Sequence, residues 1–548
     1  MRALILSFLQ SRAVKRLPAL HKNAATPMKI QEQAVPQTWH AALVLTLGSL
    51  VATPVLALPV SFVTAAPPST GAIALPVGKN GQIGEAASQV DRIANGAISR
   101  AITTAAFKGN PGDTLTLYAV GPYSRVTLIG IGEGANTRIG LEDFGGRVAR
   151  AALEGQAATW AVIVPDAPAI ADAGALVALG ARLGSYEFPQ LGKTARPHTD
   201  RPLRLHVANA AAASTAWTQR WQPVGDGVKL ARDLISTPSN IKSPQWYTDY
   251  IRSAFEGVPN VSITVIDEKE AARLGMGGLV GVGQGSTRPA RLLAIHYRGG
   301  AKDAAPISFV GKGITFDTGG ISIKPGDGMW RMRYDMAGSA ASMGAVLAAA
   351  KRGAKVNVVG VAALAENMPD GNAIRPGDVL TSMSGKTMEI LNTDAEGRMV
   401  LADANWWTQE TFKPSLLINI ATLTGSARAA LGDDYAALFH NHEAAAKRVE
   451  EAGAAVGENT WRLPIHPSTR ADIKSDVADV KNVVEGGAPG ASIGAAFIEE
   501  WVKPETPWVH LDIAGVAWAN SRKPTIPPGA VGFGVKLFDE IISQSEGR

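Results

Sequence analysis

The chain has no cysteine, and that absence removes several chemistries at once. Disulfides, thiolate zinc sites, iron–sulfur clusters and cysteine nucleophiles are all excluded. The compartment stays open on this ground, because a cysteine-free chain suits either side of a membrane. Charged side chains are few, at 18% of the 548 residues. Beyond residue 57 they cancel, with 47 basic against 47 acidic side chains. A neutral body gives no electrostatic footing for nucleic acid, so no such partner is expected. Internal repeats and low-complexity tracts are also missing. None of the nine histidines falls in an H-E-x-x-H pair, which excludes the zincin arrangement. The one G-x-S-x-G, Gly490-Ala491-Ser492-Ile493-Gly494, follows Gly486-Gly487-Ala488-Pro489 rather than an apolar strand, so it is no nucleophile elbow. Gly311-Lys312-Gly313 lacks the upstream glycine spacing and the Ser/Thr of a phosphate loop. Gly130-Ile131-Gly132-Glu133-Gly134 is too short for a dinucleotide fingerprint.

What is present is an apolar share of 46%, that of a globular protein, in a chain too long for one ordinary core. Residues 1–57 form an N-terminal extension with six basic side chains against Glu32 alone. An uncharged stretch from Ala41 to Val63 follows the basic residues, and Val55-Leu56-Ala57 has the small residues of a cleavage site. Export to the periplasm through segment 41–57 and a start assigned too far upstream both fit. Pro54 and Pro59 interrupt the run and argue against an uncleaved membrane helix, so no stable membrane partner is expected.

From Leu58 the fold class expected is α/β, in two domains. Residues 58–208 alternate strand-like runs (Val60–Ala66, Ala72–Val77, Leu115–Val120, Arg125–Ile131, Trp160–Val164, Leu203–Ala208) with helical spacing at Gly140–Leu153 and Ala169–Leu183. Residues 209–229 read as a helical connector. Residues 230–548 hold near-continuously apolar strands at Leu292–His296, Ile307–Val310, Lys355–Leu364, Leu416–Ala421 and Val509–Ala514. Helical patterns at Ala337–Arg352 and Arg398–Glu410 separate them. Such strands suit a largely parallel sheet covered by helices on both faces, with its site beyond the strands' carboxyl ends.

The polar clusters fall where that rule puts a site. Lys312 and Asp317 follow strand Ile307–Val310, Asp335 precedes one helix, and Asp394 and Glu396 precede the other. In extended backbone, residues i and i+2 face one side, so Asp394 and Glu396 can reach one ion pair together. Singly, each residue has a plainer role as a helix cap or a solvated carboxylate. Three clusters at strand ends and helix starts together point to a metal site.

N-T-D-A-E-G-R at 392–398, G-K-G-I-T-F-D-T-G-G at 311–320 and I-S-I-K at 321–324 resemble the leucyl aminopeptidase (cytosol aminopeptidase) family of metallopeptidases. A-T-L-T-G at 421–425, L-A-R-D-L-I-S-T-P-S-N at 230–240 and H-L-D-I-A-G-V-A-W at 510–518 agree. The resemblance implies a catalytic domain with a dinuclear centre of Mn²⁺ or Zn²⁺, bridged by a carboxylate and a water. By position, Lys312, Asp317, Asp335, Asp394 and Glu396 would be the ligands, with Asp317 and Glu396 bridging. Lys312 would have to bind as the neutral amine, well below its usual pKa of ~10.4. Lys324 would polarise the scissile carbonyl, and Arg398 would hold a bicarbonate that shuttles a proton. The resemblance further implies removal of N-terminal residues from peptide substrates, a homohexamer and a cytoplasmic location. A DNA-binding architectural role is the alternative, since some relatives have one. Ala337, Thr318 and Ala517 depart from the usual wording, and Ala517 and Met332 leave side-chain preference open.

Overall fold

The computed structural model describes residues 58–189, 191, 201–486 and 488–547. Segment 41–57, with its export reading, lies outside the described residues. Among those described, no helix is long and apolar enough to cross a membrane.

The first sheet has six strands: β1 (Val60–Val63), β2 (Gly71–Gly78), β3 (Thr114–Val120), β4 (Tyr123–Gly132), β5 (Trp160–Ile163) and β6 (Leu203–His206). Their order is β1-β6-β5-β2-β4-β3, parallel except for β3, which runs antiparallel to β4. Helices Arg138–Glu154 and Ala173–Gly184 pack together beside it. Helices Glu85–Ile93 and Ala97–Thr104 also lie between β2 and β3, where the sequence reading has no element. Each spans about two turns and they are split by Asn95 and Gly96, both at positive φ, so no helical period builds up.

Helix Ala210–Ala216, a π turn at Trp217–Trp221 and helix Gln222–Ser236 follow one another directly. The helical stretch expected at 209–229 therefore continues to Ser236.

The second sheet has eight strands: β7 (Val261–Ile266), β8 (Arg291–Arg298), β9 (Ile307–Asp317), β10 (Asn357–Asn367), β13 (Leu416–Ala421), β14 (Ala436–His440), β15 (Thr460–Arg462) and β17 (Trp508–Asp512). A small separate sheet joins β11 (Val379–Thr381), β12 (Thr387–Glu389) and β16 (Val480–Lys481). In the large sheet the order is β15-β14-β17-β13-β9-β10-β8-β7. The central strands β17, β13, β9 and β10 are parallel. β10 is buried along its whole length and β9 almost so, as strands covered on both faces must be. Helices Gln222–Ser236, Ala337–Arg352 and Val535–Ser543 share one core with Ile307 and Phe309, while helix Gly397–Phe412 shares the other with Val310 and Ile314.

β9 is longer than expected. It runs past Val310 through Lys312 to Asp317, paired with β10 as far as Asn367. Lys312 and Asp317 in this part face the site, so the apolar run is broken before the strand ends. Ile314 pairs with Ala365 and Phe316 with Glu366, leaving Thr315 as an inserted bulge residue.

Candidate metal centre

Three segments build the site. The end of β9 carries Lys312 and Asp317, the turn before helix Ala337–Arg352 carries Asp335, and the turn before helix Gly397–Phe412 carries Asp394 and Glu396. Oxygen atoms from Asp317, Asp394 and Glu396 all lie within 4.8 Å of one another. Lys312 Nζ joins Asp335 to this group. It sits 2.7 Å from Asp335 Oδ2 and 2.8 Å from Glu396 Oε1. Lys324 Nζ lies 2.7 Å from Asp317 Oδ2 and also contacts Asp394 Oδ1. All five expected ligands and Lys324 thus form one connected cluster.

One local premise of the sequence reading differs. Residues 392–395 are not extended. They form a turn in which Ala395 N–H donates to the Asn392 carbonyl at 3.2 Å, and Glu396 is already helical at φ −77°, ψ −31°. Asp394 and Glu396 meet because the turn folds them together, not because a strand alternates.

Two glycine positions explain the closeness. A Cβ on Gly397 would stand 2.7 Å from Lys312 Cδ and Cε, so any larger residue there would push the lysine from its place over this helix start. Gly319, at φ +89°, turns the chain after Asp317, and a Cβ there would meet Asp394 Oδ1 at 2.8 Å.

Polar neighbours hold the carboxylates. Asn367 Nδ2 donates to Asp317 Oδ1 at 2.8 Å and to the Thr393 carbonyl at 3.1 Å. Thr422 Oγ1 donates to Asp335 Oδ1 at 2.7 Å, and its carbonyl accepts from Lys312 Nζ at 2.9 Å. Thr393 ties the two loops together, donating to the Gly319 carbonyl at 2.6 Å and accepting from Ser322 N–H at 2.8 Å. No residue pattern in the sequence singles out Asn367, Thr393 or Thr422 for these roles. Thr393 and Thr422 do fall inside the motifs at 392–398 and 421–425.

The electrostatics are those of a cation site. Four carboxylates face two ammonium groups, so the set carries an excess of negative charge. Burial, then the neighbouring carboxylates Asp317 and Glu396, push Asp394 up to about 6 against the pull of Lys324. Burial also raises Asp335. It opposes the charge on Lys312, yet Asp335, Glu396 and Asp317 hold that ammonium above its ordinary value. Glu396 is 1% exposed, and its Oε2 has no hydrogen-bond partner. A buried carboxylate oxygen without a donor is costly unless a cation takes it. That orphaned atom and the oxygen-rich donor set fit divalent ions.

Arg398 is buried one residue into helix Gly397–Phe412. It donates to the Asn482 carbonyl at 2.6 Å, while its Nε has no partner. Burial lowers its pKa to about 10, and Glu396 and Asp512 oppose that shift. It lines a cavity of about 360 Å³ together with Asn392 and Val484.

The sequence profile of the cytosol aminopeptidase family's catalytic domain matches residues 229–538, and that of its N-terminal domain matches residues 74–194. This chain belongs to the cytosol aminopeptidase family. It is 42% identical to a probable cytosol aminopeptidase of Caulobacter vibrioides over 489 residues, covering 87% of this chain and 97% of that protein. A probable cytosol aminopeptidase of Gluconobacter oxydans is 43% identical over 478 residues, covering 84% and 94%. Among solved structures, a tomato leucine aminopeptidase variant superposes with TM-score 0.79 at 29% identity, covering 89% and 97%. The bottromycin maturation enzyme BotP in complex with Mn does so with TM-score 0.76 at 29% identity, covering 88% and 99%. The protein is accordingly a peptidase, a metallo-aminopeptidase by family, and the acidic cluster is its candidate metal centre.

Proposed function

We propose that this cytosol aminopeptidase releases N-terminal residues, leucine-like ones included, with two divalent ions held by Lys312, Asp317, Asp335, Asp394 and Glu396. The observation that carries the reading is the buried, unpartnered Glu396 Oε2 within a three-carboxylate cluster. Asp317 and Glu396 would serve both ions, Lys312 and Asp335 the tighter one, and Asp394 the exchangeable one. When bound, the ions supply Lewis acidity to a water and an anchor for the substrate's free α-amine.

The chain's own residues do the rest. Lys324 places an ammonium at the edge of the centre, where negative charge develops on the scissile carbonyl oxygen. Arg398 offers free guanidinium donors to a small anion such as bicarbonate, which would move a proton beside the centre. Thr422 and Asn367 fix the orientation of Asp335 and Asp317. Ala517 and Met332 would shape the space for the substrate's first side chain.

Manganese or zinc as the working metal, a homohexamer and a cytoplasmic location belong to the same reading. Sedimentation velocity tests the oligomer, and N-terminal sequencing of the native protein tests export. For the chemistry, exhaustive chelation should abolish hydrolysis of leucine p-nitroanilide, and Mn²⁺ or Zn²⁺ should restore it. An N-acetylated peptide should resist cleavage. Full activity with metal content verified as nil would remove the two-ion reading.

A further inference from the structure

A second cavity of about 570 Å³ lies beside the segment that delivers Asp335, with Trp330, Arg331, Arg333, Trp518 and Asn520 in its wall. Trp330 and Trp518 meet edge to face with ring centroids 5.9 Å apart, and Tyr334 meets Trp518 at 6.0 Å. The Arg333 guanidinium stands 5.4 Å from the Trp330 ring centre and 5.7 Å from that of Trp518. Arg331 stands 5.3 Å from the Trp330 ring.

These two positive charges have no carboxylate partner among the described residues. Arg331 makes one long side-chain bond, 3.5 Å to Asn520 Oδ1, and the Nε atoms of both arginines lack partners. The tryptophans satisfy the faces of the guanidiniums but leave their in-plane N–H donors free. A carboxylate is the group that takes such donors in pairs. Trp330 is 56% exposed, so the cavity also offers an aromatic wall to whatever enters.

We propose that this cavity is a subsite for a carboxylate of the peptide substrate, bound by Arg331 and Arg333 between Trp330 and Trp518. The proposal rests on the aminopeptidase reading of the adjoining centre. Asp335 follows Arg333 by two residues, at most about 7.6 Å between Cα atoms. About two residues of extended peptide span the same distance. On this proposal a short peptide anchored by its amine has its C-terminal carboxylate at the arginines. A longer one would bring an acidic side chain near its start.

The test compares kcat/KM of the full-length protein for Leu-Gly-Gly, its C-terminal amide and Leu-Gly-Glu amide, with leucine p-nitroanilide as the marker reaction. The free acid should exceed the amide by about 5- to 10-fold at low salt, and the gap should shrink at high salt. Recovery of the preference by Leu-Gly-Glu amide assigns the site to side-chain carboxylates as well, and no recovery restricts it to the C-terminus. In the Arg331→Gln/Arg333→Gln double variant the acid-to-amide ratio should fall to about one, through KM. If that variant does not fold, Arg331→Gln alone carries the test. Equal rates for all three peptides in the unmodified protein, or a preference that survives in the variant, overturns the proposal. Failure to hydrolyse leucine p-nitroanilide would instead remove the aminopeptidase reading.

Discussion

Lys312 and Asp317 lie five residues apart on β9, yet both side chains face the same side of the sheet. Lys312 pairs in register with Ala363 and Asp317 with Asn367. Those partners are four residues apart on β10 and so share a face. Alternation along β9 alone would put the pair on opposite faces. The bulge at Thr315 supplies the extra residue that corrects the parity.

Asn367 is the register partner of Asp317 and also its hydrogen-bond donor, at 2.8 Å. Asn367→Ala should leave Asp317 free to rotate. Losing an outer partner of a metal ligand typically weakens affinity by about 10- to 100-fold. The protein should still fold, because a buried hydrogen bond contributes only about 1 kcal/mol net. Titration with Mn²⁺ beside a thermal melt checks this. Unchanged affinity would mean that Asn367 does not orient the ligand.

Much of this architecture was legible in the sequence because the central strands are apolar on both faces. Leu416–Ala421 and helix Ala337–Arg352 have the bounds their patterns gave. The far end of β9 was not legible, since Lys312 and Asp317 face the centre and break the apolar run, although Ile314 still packs in the core. The turn at 392–395 was also hidden, because turn and strand can bring the same two carboxylates together. Arg331 and Arg333 gave no signal, since a solvated arginine and one stacked between tryptophans read alike. The clustering was legible for a simpler reason: the four carboxylates and two lysines fall at strand ends and helix starts, which such a sheet brings to one place.

Glu458 gives a pH prediction away from the centre. It is buried, accepts from Gly534 and Leu537 N–H at 3.0 and 2.9 Å, and burial pushes it up to about 7. The unfolded chain titrates near pH ~4.3. Between those values the native state holds a proton that the unfolded state has released, so this group's contribution to stability falls as pH rises through that window. Asp403, also raised to about 7 by burial, acts with the same sign. His510, pushed down to about 3, acts with the opposite sign. Glu458→Gln keeps the acceptor oxygen and removes one titration. Its Tm relative to the unmodified protein should therefore rise from pH 4.5 to pH 8. A difference that is flat with pH would refute the assignment.

Lys242 is fully buried and donates to the carbonyls of Leu234 at 2.8 Å, Ile235 at 3.5 Å and Arg333 at 2.6 Å. It closes the end of helix Gln222–Ser236 and pins the turn that leads to Asp335. Burial, then the charge of Arg333, holds its pKa well below the ordinary value. Lys242→Met leaves three carbonyls unpaired, at about 1–3 kcal/mol for each acceptor that finds no water. It also removes the desolvation cost of a buried charge, which offsets part of that loss. The two effects oppose each other in stability but not in position. The expected result is a Tm shift of a few degrees with a larger loss in metal affinity and kcat/KM. Unchanged kcat/KM and metal affinity would show that the turn holds Asp335 without Lys242.

Ligands and catalytic side chains should separate when metal content is measured beside kcat. Lys324 Nζ contacts Asp317 and Asp394, so Lys324→Ala frees two carboxylates and should leave both ions bound. Its charge acts mainly on the transition state, and its loss should lower kcat by ~10²–10³. Arg398→Ala should be milder, since it removes only the holder of a small anion that water can partly replace. It should also keep both ions, because its observed hydrogen bond goes to the Asn482 carbonyl and not to the cluster. Asp317→Ala and Glu396→Ala should release metal, because each is placed to serve both ions. The cluster would then keep three of its four carboxylates and lose an oxygen donor placed to serve both ions, which weakens its attraction for divalent cations. Metal lost from Lys324→Ala but retained, with activity, in Glu396→Ala would reverse these roles.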